Sequence, residues 1–305
     1  MKDCLLVGSI GSLKAAALTI GTFYALQSEG YNIIGMTGAS GGSLPLPLLG
    51  QNLPMNQVID IFKKIPGDSI LDMDITQQGI DWIRKKFGIP RKGDKPFTGL
   101  YRGNALRQTL LKMYKENNAQ TFESAKIPFL VVATKIAVAR DRVTNDSSVF
   151  LNAVTHPRHT IFKQGDVVSP IRGSTAIPLV FKEEEINGEL YLDGGIVDAI
   201  PILPALQHFG PYDVFIADAA STISEEPLYA DEVDSVIEIM IATIYTMFRD
   251  ATLTKIEDAL KILSLHNKNM YRIRANIKIK MTETEKMSEA ILESYYTAKA
   301  TIKAI

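Results

Sequence analysis

Along the first fifty residues, short apolar runs alternate with a longer helical pattern. Leu5–Ile10 predicts a short buried strand, and Lys14–Ser28 predicts a helix that Gly30 is placed to end. Tyr31–Thr37, apolar and β-branched, predicts the next strand, followed by the turn Gly38-Ala39-Ser40-Gly41-Gly42. A strand–helix–strand order of this length implies a parallel pair joined by a right-handed crossover. Residues 51–125 read as largely helical, punctuated around Pro66-Gly67 and Gly88–Gly99. Ile127–Thr134 and Tyr212–Ala217 predict two more buried strands, and helical patterns return over Asp231–Leu265 and Met287–Ile305. Tyr271–Lys280 alternates strictly. Tyr271, Ile273, Ala275, Ile277 and Ile279 fall on one face and Arg272, Arg274, Asn276, Lys278 and Lys280 on the other, which predicts an edge strand with a cationic face. No internal repeat, low-complexity tract or Gly/Ser/Pro-rich linker interrupts the chain. The simplest account is one α/β domain over residues 1–305, a mostly parallel central sheet flanked by helices.

Composition narrows the function classes. The 305 residues are 46% hydrophobic and 22% charged, the balance of a globular chain rather than a disordered or fibrous one. Lys plus Arg number 33 against 34 Asp plus Glu, so the net charge of −1 supplies no global field to gather nucleic acid. The cationic face of residues 272–280 is a local exception and predicts peripheral contact with anionic lipid surfaces. A single cysteine, Cys4, excludes a disulfide framework and a Cys-rich zinc site, and its apolar neighbours mark it as a small core residue. No metal-ligand spacing appears, so neither metal nor cofactor is expected. Residues 1–10 carry Lys2, Asp3 and too short an apolar run for a signal peptide. The longest apolar stretch, Val236–Phe248, carries Glu238 and is too short to span a bilayer; it reads as a packing helix in preference to a membrane-facing lid. A cytoplasmic protein is expected.

Two short segments carry candidate chemistry. Gly38-Ala39-Ser40-Gly41-Gly42 fits the nucleophile-elbow pattern Gly-x-Ser-x-Gly after a predicted strand, with Gly38 and Gly42 removing bulk around Ser40; an ordinary glycine turn has the same letters. A serine nucleophile needs a base. The four histidines, His156, His159, His208 and His266, read as exposed loop or helix-end residues. The better base is Asp193, where the apolar run Leu190–Leu192 meets an acid followed by Gly194-Gly195. Asp-Gly is also a hairpin signal. A buried carboxylate at that point would be raised toward neutrality, which suits a general base.

Taken together, the two segments resemble the patatin-like phospholipases. Gly21, Gly30 and Ser40 match that family's spacing before its nucleophile, and Ile127–Thr134 resembles its central strand. Ile171–Pro178 resembles its Ser-x-Ala-Ile-Pro block, and Asp193-Gly194-Gly195 through Pro201 its Asp-Gly-Gly block. The resemblance spans about residues 4–218, leaving 219–305 as a helical C-terminal part with one basic strand. It implies a lipid acyl hydrolase of phospholipase A or lysophospholipase type, with phospholipid or lysophospholipid as substrate. It further implies a Ser40–Asp193 dyad without histidine, an acyl-Ser40 intermediate and an oxyanion hole at Gly11, Ser12 and Leu13.

One block departs from the family. Its glycine-rich oxyanion loop is Gly11-Ser12-Leu13-Lys14 here, with only the first glycine kept. Backbone N–H groups do the work in such a hole, yet residues with a Cβ resist positive φ. The departure raises two alternatives, an enzyme that needs an activating partner or membrane, and a catalytically weak lipid-binding or regulatory protein on the same fold. A Ser–His–Asp esterase using His208 is a third, since the order Ser40, Asp193, His208 suits it.

Overall fold

A computed structural model describes residues 2–65, 67, 99–137, 159–220, 249–279 and 283–305. The chain opens with β1 (Lys2–Gly8), α1 (Ser12–Ser28) and β2 (Tyr31–Ala39), then a 3₁₀ turn, Ser40–Ser43, and two short helices, α2 (Leu46–Gly50) and α3 (Met55–Lys63). Next come β3 (Gly99–Tyr101), α4 (Asn104–Glu116), β4 (Phe129–Ala137), β5 (His159–Phe162) and α5 (Val168–Ser174). Three short strands, β6 (Leu179–Phe181), β7 (Glu184–Ile186) and β8 (Glu189–Leu192), precede α6 (Ile202–Phe209) and β9 (Asp213–Ala217). The described part ends with α7 (Arg249–Leu265), β10 (Met270–Ile273) and α8 (Met287–Lys303).

The main sheet runs β10-β9-β1-β2-β4-β8-β7, with β5 also paired to β4. The five strands from β10 to β4 are parallel; β5, β7 and β8 join antiparallel. A parallel sheet is buried on both faces, which is why its strands read as continuous apolar runs. Successive residues of β1 show the division of labour: Cys4 and Leu6 join the core beneath α1 and α8, while Leu5 and Val7 join the core beneath α6 and α7. Helix α8 crosses α1 so closely that a Cβ on Gly21 would lie 2.4 Å from Ser294 Cβ, so that crossing requires glycine. Burial, with Asp213 and Asp3 adding to it, pushes the Cys4 thiol up to about 12, so the cysteine is a core residue with no reactive thiolate.

The pairing register builds the site. Val132 of β4 pairs with Ala39 of β2 and with Ile161 of β5, while Thr134 pairs with Leu192 of β8 and with His159 of β5. A strand has two edges, so β5 holds one edge of β4 while β2 and β8 share the other. They approach along that edge from opposite directions and end facing each other. The residue after β2 is Ser40, and the residue after β8 is Asp193.

Some expectations shift. β1 leaves the sheet at Gly8 instead of running to Ile10. Among the described residues of the alternating run only Tyr271–Ile273 are strand, because β9 ends at Ala217 and offers nothing further to pair with; Ala275 and Ile277 stay buried without a ladder. Arg272 and Arg274 of the predicted cationic face are ion-paired with the buried Asp218, at 2.6 and 3.4 Å, so they do not form a free basic strip with the exposed Lys278. Lys280, Val236–Phe248 and His156 lie outside the described residues. No helix among the described residues is long and apolar enough to cross a membrane.

Candidate active site

β2 delivers Ala39 in an extended conformation, and the chain turns sharply at Ser40, whose φ is 50°. The left-handed region costs an L-residue about 1–2 kcal/mol, so it persists only where neighbours impose it. Here they do. Ser40 N–H donates to Ser174 Oγ at 2.9 Å, and Ser174 donates in turn to Val132 O at 2.6 Å. Ser43 Oγ donates to Ser40 O at 2.6 Å, and Gly42 N–H donates to Ser9 O at 3.1 Å. A Cβ on Gly38 would lie 2.7 Å from Gly42 O, and one on Gly42 2.4 Å from Ser9 O. The pattern's two glycines therefore pack against backbone. Gly41 is tighter still, because a Cβ there would fall 1.9 Å from Ser12 O.

The acid is fixed as firmly. Asp193 N–H donates to Ala176 O at 2.9 Å, and Thr134 Oγ1 donates to Asp193 O at 2.7 Å. Gly195 N–H donates to Asp193 Oδ1 at 2.8 Å, while Ser40 Oγ donates to Oδ2 at 2.7 Å. Gly194 lies against Val132 O, where a Cβ would come within 2.1 Å, and Gly195 lies against Ile10. Ser40 is 1% exposed and Asp193 3%. Burial pushes the Asp193 carboxyl up from its ordinary 3.8 to about 7, although the Ser40 and Gly195 bonds favour the ionised form. A hydroxyl hydrogen-bonded to a carboxylate that titrates near neutrality has the arrangement that nucleophilic catalysis with a general base requires.

The loop before α1 completes the surroundings. Gly11 has φ 137° and Ser12 φ 53°, so Ser12 adopts the positive φ that its Cβ was expected to resist. Gly11 O accepts the Ala15 N–H and starts the helix, which leaves Ser12 and Leu13 N–H without intrahelical partners. The Ser12 backbone packs directly on Gly41, next to Ser40. Ser40's own N–H is committed to Ser174, and the backbone that packs next to Ser40 is that of Ser12 and Gly41.

Of the predicted site residues, Ser40, Asp193, the four turn glycines and the Gly11–Leu13 loop all meet here. His208 is exposed at the end of α6, edge-on to Phe209, and no histidine among the described residues bonds Ser40 or Asp193. His266 is exposed as expected. His159 is not the loop residue expected: it lies in β5, its side chain 20% exposed, beside Asp198. Ser174 and Ala176 belong to the Ile171–Pro178 block, but nothing in that block signals that one accepts the Ser40 N–H and the other the Asp193 N–H. Gly41 occupies a free position of the elbow pattern, so the pattern does not single it out. No group of three or more His, Cys, Asp or Glu among the described residues could hold a metal ion.

Comparison with known proteins adds three findings. The family model described as patatin-like phospholipase matches residues 11–206, a narrower span than the 4–218 of the sequence resemblance. The uncharacterized NTE family proteins Mb1092c of Mycobacterium bovis and Rv1063c of Mycobacterium tuberculosis are each 26% identical over 188 residues. Those alignments cover 61% of this chain but 41% of each relative, so the chain spans about two fifths of their length. Among solved structures, VipD from Legionella pneumophila superposes with a TM-score of 0.44 at 16% identity, over 99% of this chain and 67% of that one.

Proposed function

The chain belongs to the patatin-like phospholipase family of lipid acyl hydrolases, and from that premise we propose that it cleaves phospholipid or lysophospholipid esters with Ser40 as nucleophile and Asp193 as base. Asp193 Oδ2 takes the Ser40 Oγ proton as Oγ attacks the acyl carbonyl. Backbone N–H groups of the Gly11–Leu13 loop and Gly41 hold the developing oxyanion. Collapse of the tetrahedral intermediate expels the alcohol, which takes the proton from Asp193 and leaves acyl-Ser40. Water then attacks the acyl group with Asp193 again as base, releasing the fatty acid and restoring Ser40. We read residues 1–305 as one such domain, because α8 packs on α1 and β10 extends the same sheet beyond the matched residues. Contact with membranes in this reading follows from where the substrate lies, since Arg272 and Arg274 are paired with Asp218.

The single observation that carries the reading is the 2.7 Å bond between a buried serine hydroxyl and a buried carboxylate with no histidine between them. The test is hydrolysis of phosphatidylcholine, lysophosphatidylcholine and a soluble ester by wild type, Ser40→Ala, Asp193→Asn, the double variant and His208→Ala. Ser40→Ala and Asp193→Asn should each lose about 10⁴-fold in kcat, and the double variant little more, because such residues act as a unit. Damage from His208→Ala equal to that from Asp193→Asn would replace the dyad with a triad. A wild type with no turnover on any ester would favour the regulatory alternative that Ser12 and Leu13 raised.

A further inference from the structure

A second set of ionisable groups is buried away from the Ser40–Asp193 pair. Asp198, five residues after Asp193, is 2% exposed. Its Oδ2 lies 3.4 Å from Lys255 Nζ on α7 and 3.5 Å from His159 Nε2 on β5. The Lys255 ammonium also donates to Val197 O. Asp198 Oδ1 and His159 Nε2 are buried without hydrogen-bond partners among the described residues. Asp198 N–H returns to Gly194 O at 2.9 Å, on the same turn whose Gly195 N–H holds Asp193 Oδ1. One residue on, Ala199 O accepts Ile10 N–H at 3.0 Å, just ahead of the Gly11–Leu13 loop.

We infer that Lys255 is a positioning residue for the reaction proposed above: from α7 it clips the turn after Asp193 at Val197 and Asp198, and so fixes how Asp193 meets Ser40. The inference rests on the Ser40–Asp193 reading. The turn needs outside support. It opens with two glycines, the residues with most backbone freedom. Two of its internal bonds, Ile196 N–H to Asp193 O and Val197 N–H to Gly194 O, are 3.2 Å and close tight 3₁₀ rings of poorer geometry, which leaves the 2.9 Å bond from Asp198 N–H to Gly194 O as its shortest backbone bond, at the residue that Lys255 contacts. Lys255 gives it two acceptor contacts on consecutive residues from a separate element. The side chains are unequally buried, Lys255 at 28% and Asp198 at 2% exposed, so the ammonium keeps contact with water while the carboxylate depends on it. Burial raises the Asp198 carboxyl to about 6, with Lys255 opposing, and lowers His159 to about 4 through burial first and Lys255 second. A neutral His159 leaves Lys255 as the charge that Asp198 is paired with.

The test uses purified full-length chain carrying Lys255→Met, Lys255→Arg or the pair Lys255→Met with Asp198→Asn. The pair leaves no uncompensated buried charge, so it separates loss of the clip from loss of the fold. Two readouts are taken, kcat and KM on a soluble p-nitrophenyl ester, and amide hydrogen exchange. Lys255→Met and the pair should each lower kcat by about 10–100-fold with KM little changed, as a misplaced catalytic group does. Exchange at the Gly195 and Asp198 amides should quicken while Leu18–Leu26 in α1 exchange as in wild type. Lys255→Arg should recover most of kcat. Unchanged exchange at Gly195 and Asp198 in Lys255→Met, or unchanged kcat in the folded pair variant, overturns the inference. If the wild type itself turns over no ester, the Ser40–Asp193 reading falls, while quickened exchange still supports the clip.

Discussion

Two serines in this protein occupy the same unfavourable backbone region for opposite purposes. Ser40 has φ 50° and Ser12 φ 53°, and their chain segments touch through Gly41. At Ser40 the conformation aims a side chain: the hydroxyl meets Asp193, while the N–H is tied to Ser174. At Ser12 it aims a backbone. The side chain is partly exposed, while the N–H stands at the head of α1 without an intrahelical partner. The supports differ accordingly. Ser40 is braced by the bonds it donates to Ser174 and Asp193 and the one it accepts from Ser43, whereas Ser12 is held by packing on a glycine that has no room for a Cβ. One site needs a particular side chain, and the other needs only a particular φ.

Gly41 offers the hardest way to break the comparison. Gly41→Ala would drive a methyl group into the Ser12 carbonyl, and both partners are backbone, so the loop and the elbow must part. On the proposed mechanism, separating them removes the loop's oxyanion donors from Ser40. We expect kcat on a soluble ester to fall by about 10²–10³-fold, the loss typical of one such donor. The Ser40–Asp193 bond should survive, and labelling of Ser40 by a fluorophosphonate should slow in proportion to kcat. A Gly41→Ala protein within threefold of wild type in kcat would mean that the contact plays no part in the hole.

Asp193 sharpens the comparison from the other side, through pH. With its carboxyl near 7, the ionised base accumulates as pH rises, so kcat/KM should increase from pH 5 to 8 and level off above about 7. Stability should move the opposite way. The folded state holds the Asp193 proton more tightly than the unfolded chain, whose carboxyl titrates near its ordinary 3.8. Folding stability from this group is therefore present below that value and is lost as pH rises toward about 7. Asp193→Asn still accepts the Gly195 N–H, reverses the Ser40 contact so that the amide donates to Oγ, and carries no charge, so its Tm should gain on wild type between pH 5 and pH 8. Equal Tm differences at the two ends would mean that Asp193 titrates normally.

What the sequence made legible follows the reach of each signal. The elbow and the acid turn were readable because each is a run of adjacent residues whose small side chains are demanded locally. Their meeting was readable only through resemblance. It depends on β2 and β8 sharing one edge of β4, a register relation between strands 150 residues apart that no local pattern encodes. Ser174 was visible as part of a block, yet its bond to Ser40 N–H spans 134 residues of chain. His159 read as a loop residue because its polar surroundings in sequence say nothing of Asp198 and Lys255, which bury it from elsewhere. The run 271–280 misled in the reverse sense. Alternation reports which side chains are buried, and Ala275 and Ile277 are; it does not report whether a neighbouring strand continues far enough to pair.

The smallest expected effect separates the two serines most cleanly. If Ser12 contributes only its backbone, its side chain is dispensable, and Ser12→Gly and Ser12→Ala should each keep kcat within about threefold of wild type, below the cost of one lost oxyanion donor. The two changes differ in physics. Glycine relieves the positive φ but adds freedom to the unfolded chain, opposing effects of about 1 kcal/mol each, so its Tm should stay near wild type. Alanine keeps the Cβ and the strained φ and loses only the hydroxyl, so it isolates any role for that group. The same changes at Ser40 should abolish turnover if, as proposed, its hydroxyl is the nucleophile. Steady-state rates on a soluble monomeric ester, without vesicles or cell lysate, also show whether the hole is preformed. Wild-type turnover that is high on that ester, and unchanged by added vesicles or lysate, means that Ser12 already holds its N–H in place and no activator is required. A tenfold loss in Ser12→Ala alone would instead make the hydroxyl a participant and end the distinction drawn between the two serines.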